Sequence, residues 1–406
     1  MSSMFTGGVP QDPTATDVSF ADLGLSDPIL RSLASFGFEH PTPIQAQVIP
    51  DALDGADVVG LAQTGSGKTA AFGLPLAEHL IHGKGVRGLI LCPTREIALQ
   101  TQSFLDVVGQ DHELETVCLI GGVSLGPQIK ALRQHPDIVV ATPGRLWDHY
   151  QRKNLALDKI EKLVMDEADH MLDLGFLPQI QRVLEVIPAD RQTMMFSATM
   201  PASIERLARQ FMRSPILVDL RPESRTPEGI DHRLYLVEAE NMRACLLALA
   251  AEEKGSMLIF LRRKIDVDWA CRQLELEGHP VEKIHSSRSQ SQRVAALQGL
   301  RQGEHRILIA TDIAARGIDI PIIEHIVNFG MPETVEDYVH RAGRTARGSL
   351  GGTVSTIATW QDREAIRSVE KAIHEALPRC VAEGVEPYAE SKTTIRGRKK
   401  IRRRLT

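Results

Sequence analysis

The sequence predicts two consecutive α/β domains, each a mainly parallel sheet flanked by helices. Three observations carry this. Short apolar runs alternate with helical segments, and the runs end at Leu61, Cys92, Ala141, Met165 and Phe196 in the first half. After a polar stretch, 221–229, with two prolines and a glycine, the alternation resumes, with ends near Leu261, His285, Ala310, Phe329 and Ala358. Repeated strand–helix units of this kind build parallel sheets covered by helices. The third observation is length: 406 residues suit two domains of ordinary size. The expected division is a disordered N-terminus at 1–18, a first domain at 19–220, a linker at 221–229, a second domain at 230–378 and a basic tail at 379–406.

Taken in order, residues 1–18 are rich in Gly, Pro, Ser, Thr and Asp and carry no periodic pattern. Asp27-Pro28 reads as the start of a helix, with Gly37 as its stop. Val58-Val59-Gly60-Leu61 reads as a buried strand. The turn Ala62-Gln63-Thr64-Gly65-Ser66-Gly67-Lys68-Thr69 follows, then an apolar helical stretch from Ala70 to Leu80. In such a turn, backbone N–H groups and the helix N-terminus point at phosphates. Lys68 adds positive charge, and the Thr69 hydroxyl suits magnesium. The general pattern has Gly where Ala62 stands; Gly65 and Gly67 still permit the turn. A bland reading, an ordinary Gly-rich turn, fits Gly-Lys-Thr poorly.

Lys162–Met165 is a second apolar run and ends at Asp166-Glu167-Ala168-Asp169. Magnesium prefers carboxylate oxygens and keeps several waters, which suits Asp166. Glu167 is placed to orient or deprotonate an attacking water. Asp169 lies one helical turn further on and can tie to another motif. Acids at a helix N-terminus are also favoured by the helix dipole alone, but the pairing with a phosphate loop points to nucleoside triphosphate hydrolysis.

Composition narrows the class. Hydrophobic residues make up 43% of the chain, and no apolar run approaches 18 residues, so no membrane span is expected. No apolar signal segment opens the sequence. Cys92, Cys118, Cys245, Cys271 and Cys380 are scattered without a C-x-x-C pair, which fits a reducing cytoplasm rather than a zinc site or disulfide framework. The net charge of −5 hides an asymmetry: eight Lys/Arg and no acid lie between Lys392 and Arg404. Without them the body carries 39 Lys/Arg against 52 Asp/Glu. A basic arm of this kind suits phosphate backbones.

In the first half, nearly every expected strand runs straight into a polar or Gly/Pro motif: Gly65–Thr69, Pro93-Thr94-Arg95-Glu96, Thr142-Pro143-Gly144-Arg145, Asp166–Asp169 and Ser197-Ala198-Thr199. Parallel α/β sheets bind ligands at the carboxyl ends of their strands, so these motifs describe one composite site. Together with the second half they resemble the DEAD-box family of ATP-dependent RNA helicases, from about residue 20 to residue 375, with the acidic motif literally Asp-Glu-Ala-Asp. The resemblance implies two RecA-like domains, with ATP and RNA bound across the cleft between them.

Phe38-Glu39-His40-Pro41-Thr42-Pro43-Ile44-Gln45 resembles the family's adenine-reading Q motif, with Phe38 and Gln45 as ATP contacts; Phe20 upstream also matches. Thr42-x-x-Gln45 equally fits a capping box with Pro43 at the first helical position, and the two roles are compatible. The resemblance places ATP on Ala62, Gln63, Thr64, Gly65, Ser66, Gly67, Lys68, Thr69, Gly317 and Asp319, and magnesium on Thr69 and Asp166. It assigns catalysis to Lys68, Glu167, Arg344 and Arg347, and coupling to Asp169, Ser197, Thr199 and His340. RNA-backbone contacts fall on Pro93, Thr94, Arg95, Gly122, Thr142, Gly144, Arg145, Arg262, Gln290, Thr311 and Asp312. Such groups bind phosphate without reading sequence.

Tyr338-Val339-His340-Arg341-Ala342-Gly343-Arg344-Thr345-Ala346-Arg347 is the most specific motif of the second half. If helical, it puts His340, Arg344 and Arg347 on one face, and two guanidinium groups there suit arginine fingers. The chain departs from the family at Leu261–Lys264, Ser286 and Ala346. The implied function is an RNA-dependent ATPase that unwinds short RNA duplexes locally. It would work as a monomer in the cytoplasm without a membrane, with RNA as partner and ribosomal or mRNA-decay proteins as further partners. Residue types alone leave DNA open as the strand.

Overall fold

The computed structural model describes residues 18–388, except Phe36, Thr64, 81–84, 222–228, Ser286, 313–322 and 346–350, and except the side chains of His112 and Gln290. Expectations for the N-terminus, most of the linker, Thr64, Gly317, Asp319, Arg347, Ala346, Ser286, the Gln290 side chain and the chain from 389 onward lie outside the described residues.

The chain divides into two compact units. The first holds β1 (Val58–Leu61), β2 (Gly88–Leu91), β3 (Thr116–Leu119), β4 (Ile138–Ala141), β5 (Lys162–Met165), β6 (Gln192–Ser197) and β7 (Ile216–Asp219). Its helices are α1 (Asp27–Ser35), α2 (Pro43–Leu53), α3 (Lys68–His79), α4 (Arg95–Val108), α5 (Leu125–Leu132), α6 (Pro143–Gln151), α7 (Ala168–Asp173), α8 (Leu177–Val186) and α9 (Ala202–Phe211). The sheet runs β3-β4-β2-β5-β6-β1-β7, and every pairing is parallel.

The strand side chains alternate between two cores. Val58, Ile90, Val140, Val164 and Met194 pack on one face, under α1–α4. Val59, Leu91, Val139, Leu163 and Met195 pack on the other, under α5–α9. A strand buried on both faces needs apolar residues at every position, which is why β1, β2, β4 and β5 read as uninterrupted runs. The expected strands match the central ones to within a residue. The sequence reading missed β3 and β7, which are the edges of this sheet and are partly wet, with β7 exposed at three of its four positions.

The second unit repeats the plan. It holds β8 (Ile230–Leu236), β9 (Met257–Phe260), β10 (Val281–Ile284), β11 (Ile307–Ala310), β12 (His325–Phe329), β13 (Gly352–Ala358) and β14 (Arg379–Cys380). They are ordered β10-β11-β9-β12-β13-β8-β14, again parallel throughout. Its helices are α10 (Met242–Glu252), α11 (Lys264–Leu276), α12 (Gln290–Gln302), α13 (Val335–Ala342) and α14 (Arg363–Ala372). The expected tail boundary at 379 falls too early. Arg379–Cys380 pairs with β8, Val385 is buried, Pro387 bridges to Val237, and Trp360 stacks on Tyr388 with ring centroids 5.3 Å apart. Packed structure therefore continues to Tyr388.

Candidate active site

Because the first sheet is parallel, the motifs after β3, β4, β2, β5, β6 and β1 all emerge at one edge, in that spatial order. The order sorts them. The residues expected at RNA follow β3, β4 and β2, and those expected at nucleotide and magnesium follow β5, β6 and β1.

The phosphate loop leaves β1 at Leu61 and enters α3 at Lys68, with Gly65 and Gly67 at φ of +85° and +90°. Gly67 has a second constraint: a Cβ there would fall 2.3 Å from Gln45 Nε2. Ala62 at the usual Gly position is explained. Its backbone is not left-handed, its side chain is buried, and its N–H donates to the Ser197 carbonyl at 3.1 Å. The buried Lys68 folds back, its Nζ donating to the carbonyls of Ala62 at 2.7 Å and Gln63 at 3.1 Å. The ammonium is thus held by the loop it serves.

Gln45 lies in the first turn of α2. Its Oε1 accepts from the Thr42 N–H at 2.9 Å, the reach-back half of a capping box, and its Nε2 donates to the Gly67 carbonyl at 3.0 Å. The capping role is real and extends to bracing the phosphate loop. A primary amide has two donors and two lone pairs, so one of each remains for an adenine edge. Phe38 is half-buried against the core, whereas Phe20 is fully packed within it.

Asp166 follows β5, is 4% exposed and accepts from the Glu167 N–H at 3.0 Å. Burial, followed by the charge of Glu167, pushes its carboxyl up to about 7, against the pull of Lys68. Excess negative charge in so dry a place calls for a cation. Among the described residues no cluster of three His, Cys, Asp or Glu could hold one. A single carboxylate with the Thr69 hydroxyl, completed by phosphate and water oxygens, fits magnesium.

Glu167 takes φ 48° and ψ 55°. This left-handed conformation costs a non-glycine residue about 1–2 kcal/mol, and it marks Glu167 as a placed residue. Its Oε2 lies 3.1 Å from His170 Nδ1, and His170 is 5% exposed. The sequence reading missed His170; its i,i+3 spacing from Glu167 was the available clue.

Asp169 gathers the neighbouring strand. One oxygen accepts from the Ala198 N–H at 3.2 Å, the Thr199 N–H at 2.9 Å and the Thr199 hydroxyl at 2.9 Å. Its own N–H donates to Ser197 Oγ at 3.3 Å. Asp169, expected to tie to another motif, is joined to the Ser197–Thr199 segment by direct hydrogen bonds.

On the other half of the edge, the Arg95 guanidinium lies against Gly121 and Gly122. Gly122 has φ +75°, and a Cβ there would fall 2.0 Å from Arg95 Nη1. Arg145 Nη1 donates to the Val123 carbonyl at 3.1 Å. Two guanidinium groups thus converge on loop 121–123. Pro93 and Thr142 are buried, Gly144 is open, and Thr94 Oγ1 caps α4 by accepting from the Ile97 N–H at 3.3 Å.

The second unit corrects one expectation. Helix α13 ends at Ala342, so Arg344 lies past it and shares no helical face with His340. The buried Arg341 is the organiser instead. It pairs in bidentate fashion with Asp312, both contacts at 2.6 Å, donates to Asn328 Oδ1 at 2.8 Å, and sits 4.8 Å over the Phe260 ring. Asp312, expected at RNA, pairs its carboxylate with this guanidinium, and its side chain stays about a quarter exposed. Arg262 is exposed and pairs with Glu333 at 3.0 Å; Thr311 donates its N–H to the Ile284 carbonyl.

Two outcomes follow for the acidic cluster. A carboxyl raised on folding costs stability as pH rises from its unfolded value through about 7. Asp166→Asn is therefore expected to stabilise the nucleotide-free protein at pH 8 by on the order of 2 kcal/mol, raising its melting temperature by a few degrees, with a smaller gain at pH 5 and complete loss of ATPase. Calorimetry at both pH values checks this, and an unchanged or lower melting point at pH 8 refutes it. His170→Ala is expected to lower ATPase kcat about tenfold with KM for ATP unchanged, and to have no further effect in a Glu167→Gln background. Additive losses would show that His170 acts elsewhere.

Comparison with known proteins agrees with this geometry. A family model described as DEAD/DEAH box helicase matches residues 42–207, and one described as helicase conserved C-terminal domain matches 240–349. The chain is 39% identical to the DEAD-box ATP-dependent RNA helicase CshA of Bacillus cereus, over 93% of this chain and 72% of that protein. Among solved structures, S. cerevisiae Dbp5 bound to RNA and ADP BeF3 is 26% identical with a TM-score of 0.79, covering 89% of this chain and 95% of that one. DEAD-box helicase Mss116 bound to ssRNA and UDP-BeF is also 26% identical, with a TM-score of 0.81, covering 93% and 82%. With the phosphate loop, the Asp-Glu-Ala-Asp cluster and two seven-stranded parallel sheets in place, the chain belongs to the DEAD-box family of ATP-dependent RNA helicases.

Proposed function

We propose that this chain couples ATP hydrolysis to local, non-processive opening of short RNA duplexes or remodelling of RNA–protein complexes. The observation that carries the reading is the order along the first sheet edge. The acidic residues after β5 adjoin Arg95 after β2 with no strand between them, since β2 pairs directly with β5, and the phosphate loop after β1 lies two strands further along the same edge. Lys68 and the loop N–H groups would bind the triphosphate, and Gln45 and Phe38 the adenine. Glu167 would orient the attacking water. Thr69 and Asp166 would hold magnesium, which when bound neutralises phosphate charge and fixes its geometry. Arg344 and Arg347 would stabilise charge developing on the transferred phosphate, and Asp169, Ser197, Thr199 and His340 would couple the nucleotide to the strand. Arg95, Gly122, Arg145, Thr142 and Arg262 would take the RNA backbone irrespective of sequence.

The proposed setting is cytoplasmic, as a monomer, with ribosomal or mRNA-decay proteins as further partners. Among the described residues no helix is long and apolar enough to cross a membrane.

The deciding experiment is steady-state ATPase with single-stranded RNA, with matched DNA and with neither. Strong stimulation by RNA alone is expected; equal stimulation by DNA would overturn the choice of strand. Gly122→Ala displaces Arg95 and strains a left-handed backbone. It should therefore weaken RNA binding about tenfold while leaving ATP-analogue affinity unchanged, as fluorescence anisotropy and analogue titration would show. Unaltered RNA affinity would remove Arg95 and Gly122 from the strand site.

A further inference from the structure

Beneath loop 121–123 runs a chain of buried polar groups that none of the roles above uses. Gln128, on α5 and 7% exposed, gives its Nε2 hydrogens to the Ile120 carbonyl at 3.2 Å and the Ser124 carbonyl at 3.3 Å. Those two carbonyls bracket the loop on which Arg95 and Arg145 converge. With both hydrogens spent, Gln128 presents its Oε1 to His149 Nε2 at 3.3 Å. His149, on α6, has no exposed surface, and its Nδ1 faces Asn154 Nδ2 at 3.4 Å.

The partners fix the direction of the chain. An amide oxygen only accepts, so His149 Nε2 carries the hydrogen. Asn154 Nδ2 donates to Nδ1. Every donor then points from α6 toward the loop: Asn154 to His149, His149 to Gln128, Gln128 to Ile120 and Ser124.

We propose that His149 is a positioning residue for RNA binding: through Gln128 it holds loop 120–124 against the helix that carries Arg145, and it does so only as neutral imidazole. The inference rests on the strand-binding reading of Arg95, Gly122 and Arg145. Protonation would place a hydrogen on Nδ1 facing the Asn154 amide N–H groups, and a positive charge in a dry site. Burial first, then Arg145 beside it and Arg152, hold the imidazole below the ordinary histidine range, against the opposing pull of Asp148. Those three charges lie on His149's own helix, and Gln128, facing it from α5, is uncharged. A group with a depressed folded value is neutral and supportive above the ordinary histidine pKa, and its contribution fades as pH falls below that value. RNA affinity should fall at still lower pH, where the folded protein's imidazole itself takes up the proton.

Two variants separate this role from general stability. His149→Phe fills the space but leaves Gln128 Oε1 and Asn154 Nδ2 unpaired. His149→Gln can donate to one and accept from the other, yet does not titrate. Affinity for a fluorescent single-stranded RNA, measured from pH 5.5 to 8, is the readout, with ATP-analogue affinity and melting temperature in parallel. At pH 8, His149→Phe should bind RNA about tenfold more weakly with ATP-analogue affinity intact, and His149→Gln should bind nearly as wild type. As pH falls toward 5.5, below the ordinary histidine range, wild-type affinity should fall more steeply than that of His149→Gln. Matching pH profiles for wild type and His149→Gln would overturn the proposal, and so would wild-type affinity in a folded His149→Phe. A wild-type protein that binds no RNA at pH 8 would overturn both the proposal and the strand-binding reading beneath it.

Discussion

One buried carboxylate, Asp169, holds the two working parts of the first sheet edge in register. It accepts three hydrogen bonds from Ala198 and Thr199, and its own N–H donates to Ser197. Ser197 in turn accepts from Ala62 at the start of the phosphate loop. The ends of β5, β6 and β1 are thus stitched in sequence by short bonds. A carboxylate so placed is hard to replace: removing it leaves three part-buried donors without their partner at once, each at a cost of up to about 1–3 kcal/mol. The acidic cluster and the phosphate loop therefore form one rigid body.

The placement of charge follows the same logic. Asp166 is kept dry, with its carboxyl pushed up to about 7, whereas Asp169, a helical turn away, accepts several donors. Glu167 stands between them in a conformation that glycine would adopt more cheaply. Three acids in four residues thus have three environments, set by which neighbours each can reach. In the second unit the organising charge is positive. Arg341 binds Asp312, Asn328 and the face of Phe260, joining the ends of β11, β12 and β9.

Much of this was legible in the sequence because buried parallel strands must be apolar at every position. β1, β2, β4 and β5 announced themselves in that way, and the motifs at their carboxyl ends came with them. β3, β7 and β14 stayed hidden for the converse reason: an edge strand is half wet, and its pattern blurs into its surroundings. The inner strand β8 was missed because Asp231, His232 and Arg233 break its apolar run, whereas the edge strand β10 was found. The pairing of Asp312 with Arg341 was not legible. A motif shows which residues share a segment, but not that a bidentate pair joins two of them across 29 positions. The roles of His149 and Gln128 depend on contacts between α5 and α6 that no local pattern encodes.

The inward fold of Lys68 bears on how nucleotide leaves as much as on how it arrives. Its ammonium already has two carbonyl partners within its own loop. Where Lys68 takes phosphate as proposed, binding is an exchange of partners rather than the capture of an unpaired ammonium. The same two carbonyls would compete for the lysine once the terminal phosphate is gone and the remaining anion attracts less strongly. A built-in rival of this kind would favour release of product and the next turnover.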